Sequence, residues 1–445
     1  MNLDSISTAL QSLSLYKKFK FSSIARRITQ GSLWSLFGSA VSRIIILISM
    51  ILVARILGKT SFGEFGIIQA SLGVFGLMAG TNLGSTATRF VAQYATRDPD
   101  QAGQVIALIV SVSYSLIFFS AVALILTSGL IARIMLDAPH LQHALIFGSL
   151  LMVTIALRGI QNGVLAGLEK FDQIAKLNIL DSVLAFVLIL LLSNFMGVEG
   201  AVIGLALAAS LAWFAGGIFL KNELKFTGIT VLYKGCWSNR RILINYSFPN
   251  FLASLVATFV LWYCMTLLAH TPDGYAELGL YNAAYQWHGP MLILSAVLMS
   301  VSIPALVQEW EAGNRNNFRK IVFWIAGIVL LISIPPVIII TFLSSWIMSL
   351  YGPSFQDGWF ILVLLSAAVP FHALSKIATG ALLGMNLAWW IFALNLTWGA
   401  TLMILSLWLI PNQGVEGLAI AFLTAYSVLG VLSFSVVLYR SKKLN

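Results

Sequence analysis

The sequence predicts an all-α polytopic membrane protein of about twelve transmembrane helices in two six-helix bundles, related by a pseudo-two-fold axis along the membrane normal. Three observations carry that expectation. Hydrophobic residues make up 59% of the 445-residue chain and charged residues only 9%, whereas a water-soluble domain carries about a quarter charged residues. The apolar residues fall in runs of roughly 20, enough for a helix to cross the hydrocarbon layer. A short pattern also recurs, because Gly197-Val198-Glu199-Gly200 and Gly414-Val415-Glu416-Gly417 stand 217 positions apart.

Backbone amides and carbonyls find no water in lipid, so the apolar runs must be helices. They read as spans over 30–53, 62–84, 105–130, 141–164, 173–193, 198–220, 245–269, 281–304, 319–343, 359–382, 387–410 and 415–439. Glycines or charges interrupt the second and fifth. An even count leaves both termini on one side. With this threading, only Arg55, Lys59 and Arg133 among the loop lysines and arginines fall on the opposite side. That asymmetry makes the side of the termini cytoplasmic. The first run begins near Gly31, after Lys17, Lys18, Lys20, Arg26 and Arg27, which reads as a retained anchor and not a cleaved signal. Residues 1–27 form a basic cytoplasmic tail, or a short interfacial helix with Tyr16, Phe19, Phe21 and Ile24 on its apolar side.

The repeat organises the chain. At the same offset Gly167 matches Gly384, and Leu177-Asn178 matches Leu394-Asn395. The expected division is an N-terminal lobe over 28–220, a basic cytoplasmic linker over 221–244 and a C-terminal lobe over 245–440. Six helices per unit make the copies parallel, so two lobes flank a central cavity, the geometry of alternating access. Short loops and the lack of a Walker pattern exclude a nucleotide-driven pump. Transport is then driven by an H+ or Na+ gradient, by the substrate's own gradient, or by withdrawal of product. Cys236 and Cys264 fall at different membrane levels, and no metal-ligand spacing occurs, so neither a disulfide nor a metal or other cofactor is expected. The net charge of +10 is spread over many loops and is explained by topology, without a nucleic-acid partner.

The stretch from Arg43 to Gly66 resembles the opening signature of the polysaccharide flippase family, which includes bacterial O-antigen and capsule repeat-unit translocases. The matching positions are Ala54, Arg55, Leu57, Gly58, Phe62, Gly63, Phe65 and Gly66. Leu350-Tyr351-Gly352-Pro353-Ser354-Phe355 is similar to the family's short outer loop before the tenth helix, and Ala381 to Gly384 to the small-residue segment that follows. The resemblance spans about residues 28 to 440. It implies a bacterial inner-membrane protein, similar in architecture to multidrug and toxin extruders, with a V-shaped cavity between two bundles. It implies as substrate an undecaprenyl-diphosphate-linked glycan moved from the inner to the outer leaflet. It also implies, besides membrane lipids, a polysaccharide polymerase and a chain-length regulator as partners.

Polar groups inside spans are costly and usually face protein or a wet cavity. Arg43, Arg89, Arg158 and Lys376 are candidates for a cationic substrate cavity, since guanidinium groups suit phosphate oxygens. Each also has a structural reading as an ion-pair or snorkelling residue, Arg89 most readily. Asp181 either binds a coupling ion or neutralises Arg158 or Arg43. Tyr281, Tyr285, Gln286 and Trp287 can stack on and hydrogen-bond a glycan, or form an interfacial aromatic belt. His288 and His372 either sense a proton gradient or join helices.

Two other classes are open. A proton- or cation-coupled multidrug exporter would place carboxylates in its amino-terminal cavity, where only Asp181 is available. A membrane-embedded glycan polymerase or ligase would need a large outer loop, and none exceeds roughly 20 residues by this threading. The expected activity is transport, without a covalent catalytic step.

Overall fold

A computed structural model describes residues 23–385 and 387–443, so most of the basic tail over 1–27 lies outside the described residues. The described chain is helical: α1 Ser23–Met78, α2 Leu83–Tyr94, α3 Pro99–Leu130, α4 Gln142–Gly167 and α5 Phe171–Thr227, then α6 Phe248–Ala269, α7 Gly274–Tyr285, α8 His288–Met291 and α9 Ile293–Glu311. The last four are α10 Arg315–Ser349, α11 Trp359–Ala367, α12 Val369–Gly384 and α13 Ala388–Lys443. Short 3-10 and π turns fill several junctions.

Among the described residues, eight helical stretches are long and apolar enough to cross a membrane. That differs from the separate spans expected from sequence, for a local reason. Three of the stretches are hairpins in which the helix reverses at one glycine: Gly58 in α1 (φ 75°), Gly197 in α5 (φ 58°) and Gly414 in α13 (φ 53°). A single left-handed residue turns the chain without a loop, and glycine adopts it without a Cβ clash. Gly197 (ψ −132°) and Gly414 (ψ −131°) have nearly identical backbone angles, as their positions in the repeat demand.

The expected span over 281–304 is instead broken into α7, α8 and α9. Pro290 has no amide hydrogen, and its ring crowds the carbonyl four residues back, so the helix kinks there. The 221–244 segment is less of a loop than expected. α5 continues to Thr227, Gly228 caps it at φ 72°, and Ile229 and Cys236 are buried against neighbouring helices. Cys236 and Cys264 are both free thiols.

The outside of the molecule is apolar, with Leu126 at 78% and Phe342 at 84% exposure, as lipid-facing helices require. Many small hydroxyls within the helices are satisfied locally. Ser49 donates to the Ile45 carbonyl at 2.7 Å, Ser71 to Ile67 at 2.8 Å and Ser210 to Ala206 at 2.7 Å, so no polar hydrogen of these side chains is left to lipid.

The halves meet where α1 crosses α7. A Cβ added to Gly63 would strike the Tyr275 carbonyl, and one added to Gly279 would strike the Lys59 carbonyl. Each contact is the image of the other at an offset of 216 positions. Only glycine permits backbones to approach so closely.

Candidate functional site

Around that crossing, one end of the molecule is closed by contacts between the halves. Arg55 Nε donates to the Leu350 carbonyl at 2.6 Å, and the Tyr275 hydroxyl donates to the Leu136 carbonyl. Phe62 packs edge-on against Phe355, with ring centroids 6.0 Å apart, and lies 6.4 Å from Tyr351. Glu277 accepts from the Val415 amide at 3.0 Å, just past the Gly414 reversal. Burial pushes the Glu277 carboxyl above the ordinary glutamate value, against the lowering effect of that amide. Much of the Ala54–Gly66 and Leu350–Phe355 signature therefore sits in one seal. Arg55 and Tyr275 were not singled out from sequence as mutual neighbours of the other half, because nothing in one strand of sequence names a partner carbonyl.

Deeper between the halves, Arg43 is exposed and its Nη1 donates to the Gly289 carbonyl at 3.0 Å. That carbonyl also accepts from the Leu292 amide at 3.1 Å, so the Arg43 guanidinium uses its second lone pair. Arg43 has no carboxylate partner among the described residues. Arg89 lies elsewhere, over the ring of Tyr246 at 4.6 Å and near Phe90 at 5.6 Å, a cation–π arrangement. Next to it the Thr86 and Ser247 hydroxyls share a hydrogen bond of 2.8 Å.

Arg158 and Lys376 do not line the same cavity. Arg158 faces a cavity of about 450 Å³ inside the N-terminal half, lined also by Ser49, Gln69, Asp181 and many apolar side chains. Its Nη1 lies 2.6 Å from Asp181 Oδ2. Lys376 faces a separate cavity of about 230 Å³ inside the C-terminal half, with His372, Ser375, Asn395, Trp398 and Tyr426. The four cations thus occupy four places, where the sequence suggested one cationic wall.

The aromatic segment is mostly interior. Tyr281 is 0% exposed and stacks on Tyr285 at 5.7 Å, so neither the central space nor lipid reaches its ring in this conformation. Tyr285 stacks in turn on His288 at 5.8 Å. Trp287 Nε1 donates to the Tyr351 hydroxyl at 3.1 Å, and that hydroxyl donates to Gln286 Oε1 at 3.4 Å. These contacts join α7 to the closed end. His288 Nδ1 lies 3.1 Å from the Leu365 carbonyl, and its Nε2 lies 3.0 Å from His372 Nδ1. A carbonyl only accepts, so His288 Nδ1 carries hydrogen. In the neutral pair His372 Nδ1 is then the donor to His288 Nε2. His372 also stacks on Tyr426 at 4.2 Å. No group of three or more His, Cys, Asp or Glu suited to a metal ion is gathered among the described residues.

Comparison with known proteins agrees with the fold. The sequence profile described as polysaccharide biosynthesis protein matches residues 28–310. The EPS I polysaccharide export inner membrane protein EpsE of Ralstonia nicotianae is 24% identical over 302 residues, covering 66% of this chain and 67% of that protein. The solved structure of a multidrug resistance MATE family transporter of the MOP superfamily, in its inward-facing conformation, superposes with a TM-score of 0.74. It is 17% identical and covers 91% of this chain and 95% of that chain. A MOP superfamily transporter of Pyrococcus furiosus, described by the reverse polarity of its binding pocket, superposes with a TM-score of 0.72 at 16% identity, over 94% of this chain and 96% of that chain. The chain belongs to the polysaccharide biosynthesis protein family and is a multi-pass membrane protein with the fold of the MATE family transporters.

Proposed function

We propose that this protein is a flippase for an undecaprenyl-diphosphate-linked oligosaccharide, carrying an O-antigen, capsule or exopolysaccharide repeat unit from the inner to the outer leaflet of a bacterial inner membrane. The observation that carries the reading is Arg43, a guanidinium between the two halves with a carbonyl contact but no carboxylate to neutralise it among the described residues. Such a group attracts a diphosphate or an acidic sugar, to which it offers paired hydrogen bonds. The polysaccharide export role named for the Ralstonia relative supports the same substrate class.

In this reading the three glycine hairpins and the kinked α7–α9 unit make twelve crossings in two six-helix lobes, with both termini cytoplasmic. The sealed end holding Arg55 and Tyr275 faces outward, and the substrate enters from the cytoplasmic side. Opening the seal and closing the opposite end moves the headgroup across. A polymerase and a chain-length regulator are the partners this role calls for. Proton or sodium coupling by Asp181 competes with its ion pair to Arg158.

A second reading, an exporter of small organic cations coupled to an ion gradient, is favoured by the superposition on a multidrug transporter over most of the chain. Against it stands the charge of the interior, since a cation site needs an available carboxylate and Asp181 is already engaged.

The test is transfer of an undecaprenyl-diphosphate-linked oligosaccharide between leaflets of proteoliposomes, with and without a pH gradient, for the native chain and Arg43→Met. Transfer that is lost in the variant supports the flippase. Folded native protein that transfers no glycolipid of several sugar compositions but moves ethidium replaces it with the exporter.

A further inference from the structure

The repeat that relates the halves is broken in its charges. At the 217-position offset Asn178 corresponds to Asn395, Asp181 to Trp398, and Arg158 to Ser375, next to Lys376. The N-terminal half pairs its interior cation with Asp181 at 2.6 Å. The C-terminal half keeps a cation, Lys376, but has an indole where the aspartate would be. No carboxylate lines its cavity.

Two of the groups around Lys376 have free hydrogens to donate. The Trp398 Nε1 hydrogen is buried without a partner among the described residues, and an indole can only donate. The Asn395 amide has no hydrogen-bond partner among the described residues, leaving its NH₂ free to donate. Ser375 and Thr379 have already spent their hydroxyl hydrogens on the His372 and Ser375 carbonyls, at 2.7 and 2.9 Å. His372 Nδ1 is committed to His288. The Lys376 side chain is exposed, whereas the Trp398 indole hydrogen is buried with no acceptor among the described residues, so an anionic group in the cavity would satisfy the indole and pair with the ammonium at once. The cavity volume of about 230 Å³ equals that of roughly seven or eight waters at about 30 Å³ each. It admits one compact anionic group but not a sugar chain.

We propose that this cavity is a binding site for a single phosphate or carboxylate group, held by Lys376 with Asn395 and Trp398 and separate from the space beside Arg43. The group comes either from a free anion or from an anionic lipid headgroup that enters between helices. The proposal goes beyond the transport reading and does not rest on it, because it follows from the charges within one half.

The test uses the full chain in nanodiscs of zwitterionic lipid. One arm titrates inorganic phosphate and glucuronate against potassium chloride at matched ionic strength, and the other includes phosphatidic acid in the nanodisc. The readout is the thermal midpoint. In the native chain a saturable rise is expected. The concentration for half of that rise increases about tenfold or more in Lys376→Met and in Asn395→Leu, the usual effect of losing one charge-assisted or buried hydrogen bond. Lys376→Arg retains the rise. A rise with phosphate or glucuronate identifies a free anion, and one seen only with phosphatidic acid identifies a headgroup. Asn395→Leu keeps the test decisive should Lys376→Met fail to fold. The proposal is overturned if neither arm stabilises the native chain, if Lys376→Met and Asn395→Leu respond like the native chain, or if Arg43→Met alone loses the response. A chain that transfers no glycolipid yet binds phosphate through Lys376 rejects the flippase and leaves this site standing.

Discussion

Arg158 Nη1 and Asp181 Oδ2 lie 2.6 Å apart inside the N-terminal half, with side chains only 14% and 22% exposed. In so dry a setting each charge depends on the other. Asp181→Asn leaves the guanidinium without its anion, and Arg158→Met leaves the carboxylate without its cation. Each single change is expected to cost about 1–3 kcal/mol, less than the loss from a fully buried pair because some exposure remains. The double variant Arg158→Met/Asp181→Leu should cost less than the sum, and less than either alone where the apolar pair packs well. Thermal midpoints of the four proteins in one detergent test this. Strict additivity would mean that the two groups do not interact.

The Gly63–Gly279 crossing predicts a conformational effect and not simply a loss of stability. Gly63→Leu places a side chain against the Tyr275 carbonyl, so the sealed end should be forced apart while each half stays folded. With Cys236 and Cys264 replaced by serine, a Phe62→Cys/Phe355→Cys pair, whose native rings are 6.0 Å apart, should be bridged by a short bis-thiol reagent. Adding Gly63→Leu should reduce that yield severalfold. Unchanged bridging would show that the crossing does not hold the seal.

Much of this architecture was legible in sequence because membranes simplify the problem. Long apolar runs must be helices, and the Gly197/Gly414 pattern marked the two hairpin reversals that share their backbone angles. The pairing of Asp181 with Arg158 was among the alternatives, since a lone intramembrane carboxylate has few partners. What sequence did not yield was relative position. Arg43, Arg89, Arg158 and Lys376 look alike as letters, yet helix rotation sends them to four different surroundings. The Gly63–Gly279 contact is hidden for a simpler reason: its offset is 216 and not 217, so the spacing of the repeat does not pair the two glycines. Tyr281 shows the converse limit. Its polar, aromatic neighbourhood suggests a sugar-binding surface, but its ring is fully buried, and periodicity cannot tell a face toward substrate from a face toward another helix.

Glu277 predicts how the sealed end responds to pH. It lies in the first turn of α7, before the span over 281–304, and burial raises its carboxyl above the ordinary value, with Asp273 and Glu416 adding to the rise. A raised carboxyl binds its proton more tightly in the folded state than in the unfolded one. Its stabilising contribution is therefore full below the ordinary glutamate range of about pH 4 and is lost as pH climbs through the raised value. Glu277→Gln, which cannot ionise, should flatten this part of the profile and raise the thermal midpoint at neutral pH relative to the native chain. Parallel pH profiles for the two proteins would remove Glu277 from the explanation.

The two hairpin glycines offer a controlled comparison of strain with crowding. Gly197 and Gly414 have the same backbone, near φ 58° and 53° with ψ close to −132° and −131°, a region where a Cβ costs about 1–3 kcal/mol. Gly197→Ala meets nothing within 4 Å, whereas Gly414→Ala meets the Glu277 carboxylate, which also accepts the Val415 amide hydrogen. Both substitutions should therefore destabilise, and Gly414→Ala should do so more. The excess belongs to one neighbour, so Glu277→Ala should cost less in the Gly414→Ala background than in the native chain, while its cost beside Gly197→Ala stays unchanged. Thermal midpoints of this set separate the terms. If Gly414→Ala and Gly197→Ala were equally harmful, the carboxylate would have moved aside freely, and the Glu277–Val415 contact would not be what fixes the final helix against α7.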